Sequence, residues 1–361
     1  MVDLFAGPGG LDVAAHWLGI SVVGIEWDEN ACATRHAAGL KTVQGDVSQH
    51  GPAEFPNATI LAGGPPCQTY TVAGTGAGRR ALEQVLAFIR RMAAGEDVSA
   101  ELAHLDDERT GLVLQPLRWA LEAYAQGRPY ETIVLEQVPA VLPVWKAMAQ
   151  ALHSTGYKTA CGILHAEEFG VPQTRRRAVL IARRDHIPRL PRPTHRRFRK
   201  GQGREEEHPP LLPWEAVLRP YETLGSTLER PEPFVVVSNY GTGGNPKARG
   251  RRTSEEPAAT VTGKISRNRL VTHDGLELAR LKEAEAGQLQ TFPANYPWSG
   301  SDIAQQIGNA IPPRLGAHVL AAALGRELDP AALDRAVRNR WEQTGGGKRL
   351  LVATVDTVSM R

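Results

Sequence analysis

Short apolar runs alternate with longer amphipathic stretches over the first half of the chain, and this alternation predicts a parallel sheet with helical crossovers. Strands are expected at Val2 to Phe5, Ser21 to Glu26, Thr59 to Ala62, Thr132 to Glu136 and Ala178 to Ala182. Helices are expected at Leu11 to Leu18, Ala81 to Met92, Leu112 to Ala125 and Val144 to Ser154, where apolar residues recur at three- and four-residue spacing. The fold class is therefore α/β, a doubly wound sheet, and such sheets bind ligands at the carboxyl ends of their strands.

The pattern breaks after Arg184. From Asp185 to about Pro210 the chain is rich in proline, arginine and histidine (RLPRPTHRRFRKGQGREEEHPP), and it stays rich in proline and glycine to about Gly250. Helical periodicity returns at Leu276 to Leu289 and at Pro313 to Leu324. These shifts predict a large domain over 1–184 and 281–325, a smaller loop-rich domain over 185–280 inserted into it, and a frayed C-terminal tail over 326–361.

With 361 residues, 42% apolar and 22% charged, the chain is ordinary globular material. No run approaches the roughly 18 apolar residues of a membrane span, and Met1 leads straight into a strand, so a soluble, cytoplasmic protein without a targeting segment is expected. Cys32, Cys67 and Cys161 lack the spacing of a disulfide framework or a zinc site, and no metal is expected. The net charge of +3 is too small to imply nucleic acid by itself. Its distribution is more telling. Arg183, Arg184, Arg189, Arg192, Arg196, Arg197, Arg199 and Lys200 fall within eighteen residues beside His195 and Phe198, with a second cluster at Lys247, Arg249, Arg251 and Arg252. Such density fits a surface that tracks phosphates; the plainer reading is a solvated basic loop.

Three features carry chemistry. The first expected strand runs into Ala-Gly-Pro-Gly-Gly and then a helix, where glycines let a backbone turn tightly and approach a ligand. A nicotinamide fingerprint would want a third glycine where Asp12 stands. Glu26 ends the second strand, where a carboxylate commonly takes ribose hydroxyls, and Asp46 follows the next apolar run, within reach of an adenine amino group. Singly, each acid reads equally as a solvated loop carboxylate or a helix cap. Finally, Gly63-Gly64-Pro65-Pro66-Cys67-Gln68 forms a rigid turn at the carboxyl edge of the sheet that presents Cys67 in the cleft, whereas Cys32 and Cys161 read as small buried hydrophobes. The glycine-rich run at 73–78 behind it is expected to close over a substrate.

DLFAGPGGLD at 3–12, GGPPCQ at 63–68, LEQV at 135–138, QTRRR at 173–177 and QIGNAIPP at 306–313 together resemble the ordered motif set of the DNA cytosine-5 methyltransferases of bacterial restriction-modification systems. The resemblance spans residue 3 to about 325 and implies the Rossmann-like sheet of S-adenosylmethionine-dependent methyltransferases, with the small domain as target-recognition domain. It implies that Cys67 adds to carbon 6 of a flipped-out cytosine, that Glu136 protonates or hydrogen-bonds ring nitrogen 3, and that Arg175 and Arg177 contact the base and the strand backbone. S-adenosylmethionine would lie against Phe5, Gly7, Gly9, Glu26, Trp27 and Asp46, with Asn309 and Ala310 folded back on the pocket. Gln173, Arg196, Arg197, Arg199 and Lys200 would face DNA. Duplex DNA is thus the expected partner of a monomeric enzyme, with a cognate restriction endonuclease as a functional companion. The alternatives are a tRNA cytosine-5 methyltransferase, whose recognition region is smaller, and a catalytically silent DNA-binding homologue. The chain departs from the family pattern at Gln137, where Asn is usual after the acid, at Thr69-Tyr70-Thr71 and at Ala284.

Overall fold

The computed structural model describes residues 1–66, 76–102, 111–201, 218–230, 233–238 and 250–342. Thirteen strands are described: β1 (Val2–Leu4), β2 (Val23–Glu26), β3 (Thr42–Gln44), β4 (Ile60–Gly63), β5 (Thr132–Gln137), β6 (Lys158–His165), β7 (Gln173–Thr174), β8 (Arg176–Arg183), β9 (Val235–Val237), β10 (Arg251–Thr253), β11 (Ala258–Ala259), β12 (Arg269–Val271) and β13 (Glu277–Leu278).

Seven of them form one sheet in the order β3-β2-β1-β4-β5-β8-β6. The first five are parallel, and β8 runs antiparallel between β5 and β6. Order reverses at the β1/β4 step, so the crevice for a ligand opens beyond Leu4 and Gly63. Side-chain alternation feeds two cores. Leu61, Ile133, Leu135 and Leu180 enter one hydrophobic cluster, while Ala62, Val134, Val179 and Ile181 enter the other. Burial on both faces explains why these strands read as continuous apolar runs. Edge strand β6 is mostly half-exposed, with Ile163 at 41%, and its sequence KTACGILH carries too weak an apolar signal to be predicted.

The expected helices appear at Gly10–Trp17, Gly76–Ala93, Gln115–Ala125 and Leu142–His153, and a further one at Glu29–Ala37 is capped by Asp28, whose side chain accepts from Ala31 N–H. The helix Pro313–Ala323 returns to lie on Gly10–Trp17, and the small Gly316 permits the approach: a Cβ there would sit 3.1 Å from Ala14 Cβ. Two expectations are corrected. The periodic stretch 276–289 splits into β13 and a helix confined to Glu283–Leu289. The described part of the tail is folded: helix Pro330–Arg338 buries Leu333, and Trp341, which is 9% exposed, donates from Nε1 to the Ala38 carbonyl.

A second sheet, β10-β9-β12-β13, belongs to the smaller unit. Its hydrophobic cluster joins Leu224, Phe234, Val236, Val261 and Leu270 to Ala286, Leu289 and Ile307, so the expected boundary at 280 runs through one continuous core. Arg230 strengthens the same crossing with two 2.8 Å bonds to Glu285.

Candidate active site

The glycine turn after β1 uses backbone that side chains resist: φ is +54° at Gly7, +103° at Gly9 and +59° at Phe5. A Cβ on Gly9 would meet Leu40 Cδ1 at 2.4 Å and Tyr296 Oη at 2.9 Å, whereas a Cβ on Gly7 would find nothing within 4 Å. Gly9 is thus small for packing, and Gly7 leaves open space over its backbone. Ile311, just past Ala310, closes the turn from behind, its carbonyl 2.3 Å from where a Gly10 Cβ would be.

Glu26 pins this turn. Oε2 accepts from Gly7 N–H at 2.7 Å, and Oε1 accepts from the N–H groups of Trp27 at 2.9 Å and Asp28 at 2.8 Å. Burial raises its pKa against those three bonds. A carboxylate offers about four acceptor sites, so one remains for a ligand hydroxyl. Trp27 projects an indole that is 71% exposed. Asp46 accepts from Ser48 N–H at 2.9 Å and Ser48 Oγ at 2.6 Å, which orients its carboxylate beyond the end of β3. An adenosyl group with ribose hydroxyls fits this donor set and the open space over Gly7.

Beneath the turn lies machinery that sequence reasoning missed. Arg35 reaches Asp12 with two bonds of 2.7 and 2.8 Å, both side chains fully buried, and also donates to the Lys41 carbonyl. Burial and then the Asp12 charge push the Asp3 carboxyl well up, favouring its neutral form. Tyr296 donates from Oη to the Pro8 carbonyl at 2.5 Å from within a ring cluster of Phe292, Trp298 and Trp341. An arginine in an otherwise ordinary amphipathic helix gave no signal of this role.

At the next strand end, Glu136 is 7% exposed and Arg177 Nε stands 2.6 Å from its Oε1. Burial raises the Glu136 pKa, while Arg177 and then Arg175 oppose the rise. The other oxygen, Oε2, faces Gly64, where even an added Cβ would stay 3.7 Å away. Gln137 donates from Nε2 to the Pro65 carbonyl at 2.6 Å and accepts from Val138 N–H at 2.6 Å, linking β5 to the proline turn. Cys67, the expected nucleophile, lies outside the described residues, as do Lys247 and Arg249.

The remaining expected residues divide. Gln173 and Arg175, expected at DNA and base, are both 0% exposed. Gln173 donates to the Leu289 carbonyl and to Gln290 Oε1, and accepts from Val261 N–H. Arg175 donates to the carbonyls of Val261, Gly308 and Ala310. Asn309 is exposed and accepts from Gln305 Nε2 at 2.8 Å, and Ala310 is buried. In the basic segment, Arg183 is built into the fold on Thr132 Oγ1, the Ala323 carbonyl and Asp185, and Arg184 holds the Thr155 carbonyl over the rings of Tyr124 and Tyr157. Arg183 is thus a buried tie, whereas Arg184 is exposed as well as tied. Arg197, Arg199 and Lys200 are exposed, with Arg197 held 3.0 Å from Glu168, while Arg196 is half-buried. Arg252 stacks 4.7 Å over the Phe198 ring.

A family model described as C-5 cytosine-specific DNA methylase matches residues 1–90 and 131–325. The chain is similar to the type II methyltransferase M1.HphI of Haemophilus parahaemolyticus, 26% identical over 351 residues that cover 90% of this chain and 86% of that protein. It is likewise similar to the type II methyltransferase M.HaeII of Haemophilus aegyptius, 25% identical over 86% of this chain and 88% of the relative. Among solved structures, a putative DNA modification methyltransferase encoded within an E. coli prophage shares the fold at a TM-score of 0.55 and 17% identity, over 90% of this chain and 97% of that one. DNMT2 of Spodoptera frugiperda does so at 0.58 and 14% identity, over 90% and 98%.

Proposed function

The chain belongs to the C-5 cytosine-specific DNA methylases and is a DNA cytosine-5 methyltransferase, and from that premise we propose how its residues divide the work. The buried Glu136–Arg177 pair at the carboxyl end of β5 carries this reading.

Cys67 adds as thiolate to carbon 6 of a cytosine rotated out of the duplex. As the sulfur–carbon bond forms, electron density moves toward nitrogen 3, and Glu136, whose pKa burial raises, gives that nitrogen a proton or a hydrogen bond from Oε2. Arg177 fixes the other oxygen, so the acid presents one defined face. Carbon 5, now enamine-like, takes the methyl group. Loss of the carbon 5 proton and expulsion of the cysteine then restore the aromatic ring and free the enzyme. S-adenosylmethionine supplies the methyl group as a sulfonium electrophile. The open backbone of Gly7 would admit it to the turn that Gly9 packs, Glu26 would take a ribose hydroxyl, Trp27 would lie beside the adenine and Asp46 would receive its amino group. Arg197, Arg199 and Lys200, with the 218–278 unit, engage duplex DNA and make this unit the target-recognition domain. Relatives named type II methyltransferases support a restriction-modification setting with a cognate endonuclease as companion.

The test is transfer of labelled methyl groups to unmethylated DNA and to tRNA side by side, then conversion sequencing of the labelled nucleic acid. Label at one short recurring DNA motif is expected; label only in tRNA would move the reading to RNA. Cys67→Ser should keep cofactor binding and lose transfer, and DNA carrying 5-fluorocytosine at the target should become covalently trapped. An active preparation that never traps would overturn the covalent route.

A further inference from the structure

Residues 173–177 touch two things at once. On one side Gln173 and Thr174 pair in parallel with Ala258 and Ala259 as β7 and β11. Thr260 Oγ1 donates to the Thr174 carbonyl at 2.7 Å, Thr174 Oγ1 donates to the Ala258 carbonyl at 3.2 Å, and Val261 is held through both its N–H, by Gln173, and its carbonyl, by Arg175. Every one of these bonds joins residues 258–261 to the segment that leads into β8 of the large sheet. On the other side, two residues beyond Arg175, Arg177 grips the catalytic acid. The link between them is short and tied: Arg175 N–H donates to the Gln173 carbonyl at 3.1 Å, its side chain is anchored on three carbonyls, and β8 begins at Arg176, so a shift at Thr174 or Arg175 passes to Arg177 through a bonded turn.

We propose that the seating of residues 258–261 on Gln173–Arg175 sets the position of Arg177 and, through it, of the Glu136 carboxyl, making Thr174, Arg175 and Thr260 positioning residues for methyl transfer. The proposal rests on Glu136 being the acid. Its consequence is that recognition and chemistry are joined mechanically: whatever DNA does to the smaller unit is felt at the acid.

Arg175 and Arg177 are the charged groups that face Glu136 among the described residues; the turn after β4 sets the uncharged Gly64 against it. Burial works against the charge of Arg175, as does Arg177, while Glu136 supports it. Its three carbonyl partners therefore hold a costly cation in place, a use of buried charge that favours position over stability.

The experiment is Thr260→Val, nearly isosteric and lacking only the hydroxyl bond, measured in single-turnover methyl transfer with DNA and cofactor affinities alongside. The expected result is a transfer step slower by about fivefold, the equivalent of one hydrogen bond, with both affinities unchanged. The alkaline limb of its pH profile should move upward, because a loosened Arg177 supports the carboxylate less. Combined with Arg177→Lys, Thr260→Val should move that limb no further. An unmoved limb, an unchanged rate, or the same displacement in both backgrounds would overturn the proposal. Arg175→Lys, which keeps the cation, should recover part of what Arg175→Met loses; equal loss would also count against it. Glu136→Gln separates the two ideas: full activity there removes the acid assignment, whereas an inactive Glu136→Gln with an unmoved limb in Thr260→Val removes only the coupling.

Discussion

The side-chain amide of Gln137 spans from the Val138 N–H to the Pro65 carbonyl, so the residue after the catalytic acid also holds the turn that leads to Cys67. Gln137 is one methylene longer than the Asn usual in the resembled family, and its amide reaches the Pro65 carbonyl at 2.6 Å.

Gln137→Met should lose that link at a cost of about 1 kcal/mol in stability and slow covalent trapping on 5-fluorocytosine DNA by roughly tenfold, with cofactor affinity unaltered. Trapping at the wild-type rate would show that the turn holds its place without the amide.

Arg35→Met should cost more, because it leaves Asp12 buried beside Asp3 without a counter-charge. Losing one partner of such a pair typically costs about 3–5 kcal/mol. Urea unfolding should record that drop, and calorimetry should record weakened S-adenosylmethionine binding, since Arg35 supports the turn from below. A variant with unchanged cofactor affinity would separate the pair from the pocket.

For DNA binding the exposed residues at 199–200 and the buried Arg183 should behave differently. Arg199→Gln with Lys200→Gln should lower the slope of log affinity against log salt by about 0.9 per lost contact. Arg183→Met, which loses the bonds to Thr132 and the Ala323 carbonyl, should leave the slope alone and lower stability by about 1–3 kcal/mol. Equal slopes in all variants would put the phosphate track elsewhere.

Glu167 gives a pH signature. Burial pushes its carboxyl up to about 7, above its value in an unfolded chain. The folded protein therefore keeps a proton that the unfolded chain releases, and stability falls as pH rises from the ordinary carboxylate range through about 7, by an amount of order 3 kcal/mol. Glu167→Gln, which mimics the protonated form, should flatten that decline when urea midpoints are compared from acid to mildly alkaline pH. A decline of unchanged steepness would reassign it to other groups.

Much of the site was legible in the sequence because each of its motifs is also a backbone instruction. Glycines at 7 and 9 mark positive φ, and apolar runs mark strands buried on both faces. Arg35, Tyr296 and the inward turn of Gln173 and Arg175 were not legible, since their partners are main-chain carbonyls or residues far along the chain. Alternation at 175–177 predicts a common side for Arg175 and Arg177, yet the partners of Arg175, the carbonyls of Val261, Gly308 and Ala310, arrive from elsewhere in the chain, while Arg177 pairs with Glu136. The same holds for Trp341: a lone indole before a polar, glycine-rich stretch carries no mark of the groove that receives it.

The pairing of helix Gly10–Trp17 with helix Pro313–Ala323 has a consequence in time. At synthesis speeds of about 5–20 residues per second, the apolar face of the earlier helix waits on the order of 15–60 s for its cover. During that interval the glycine turn at its head lacks the backing of Ile311, and release short of residue 313 yields a chain with an open, adhesive flank.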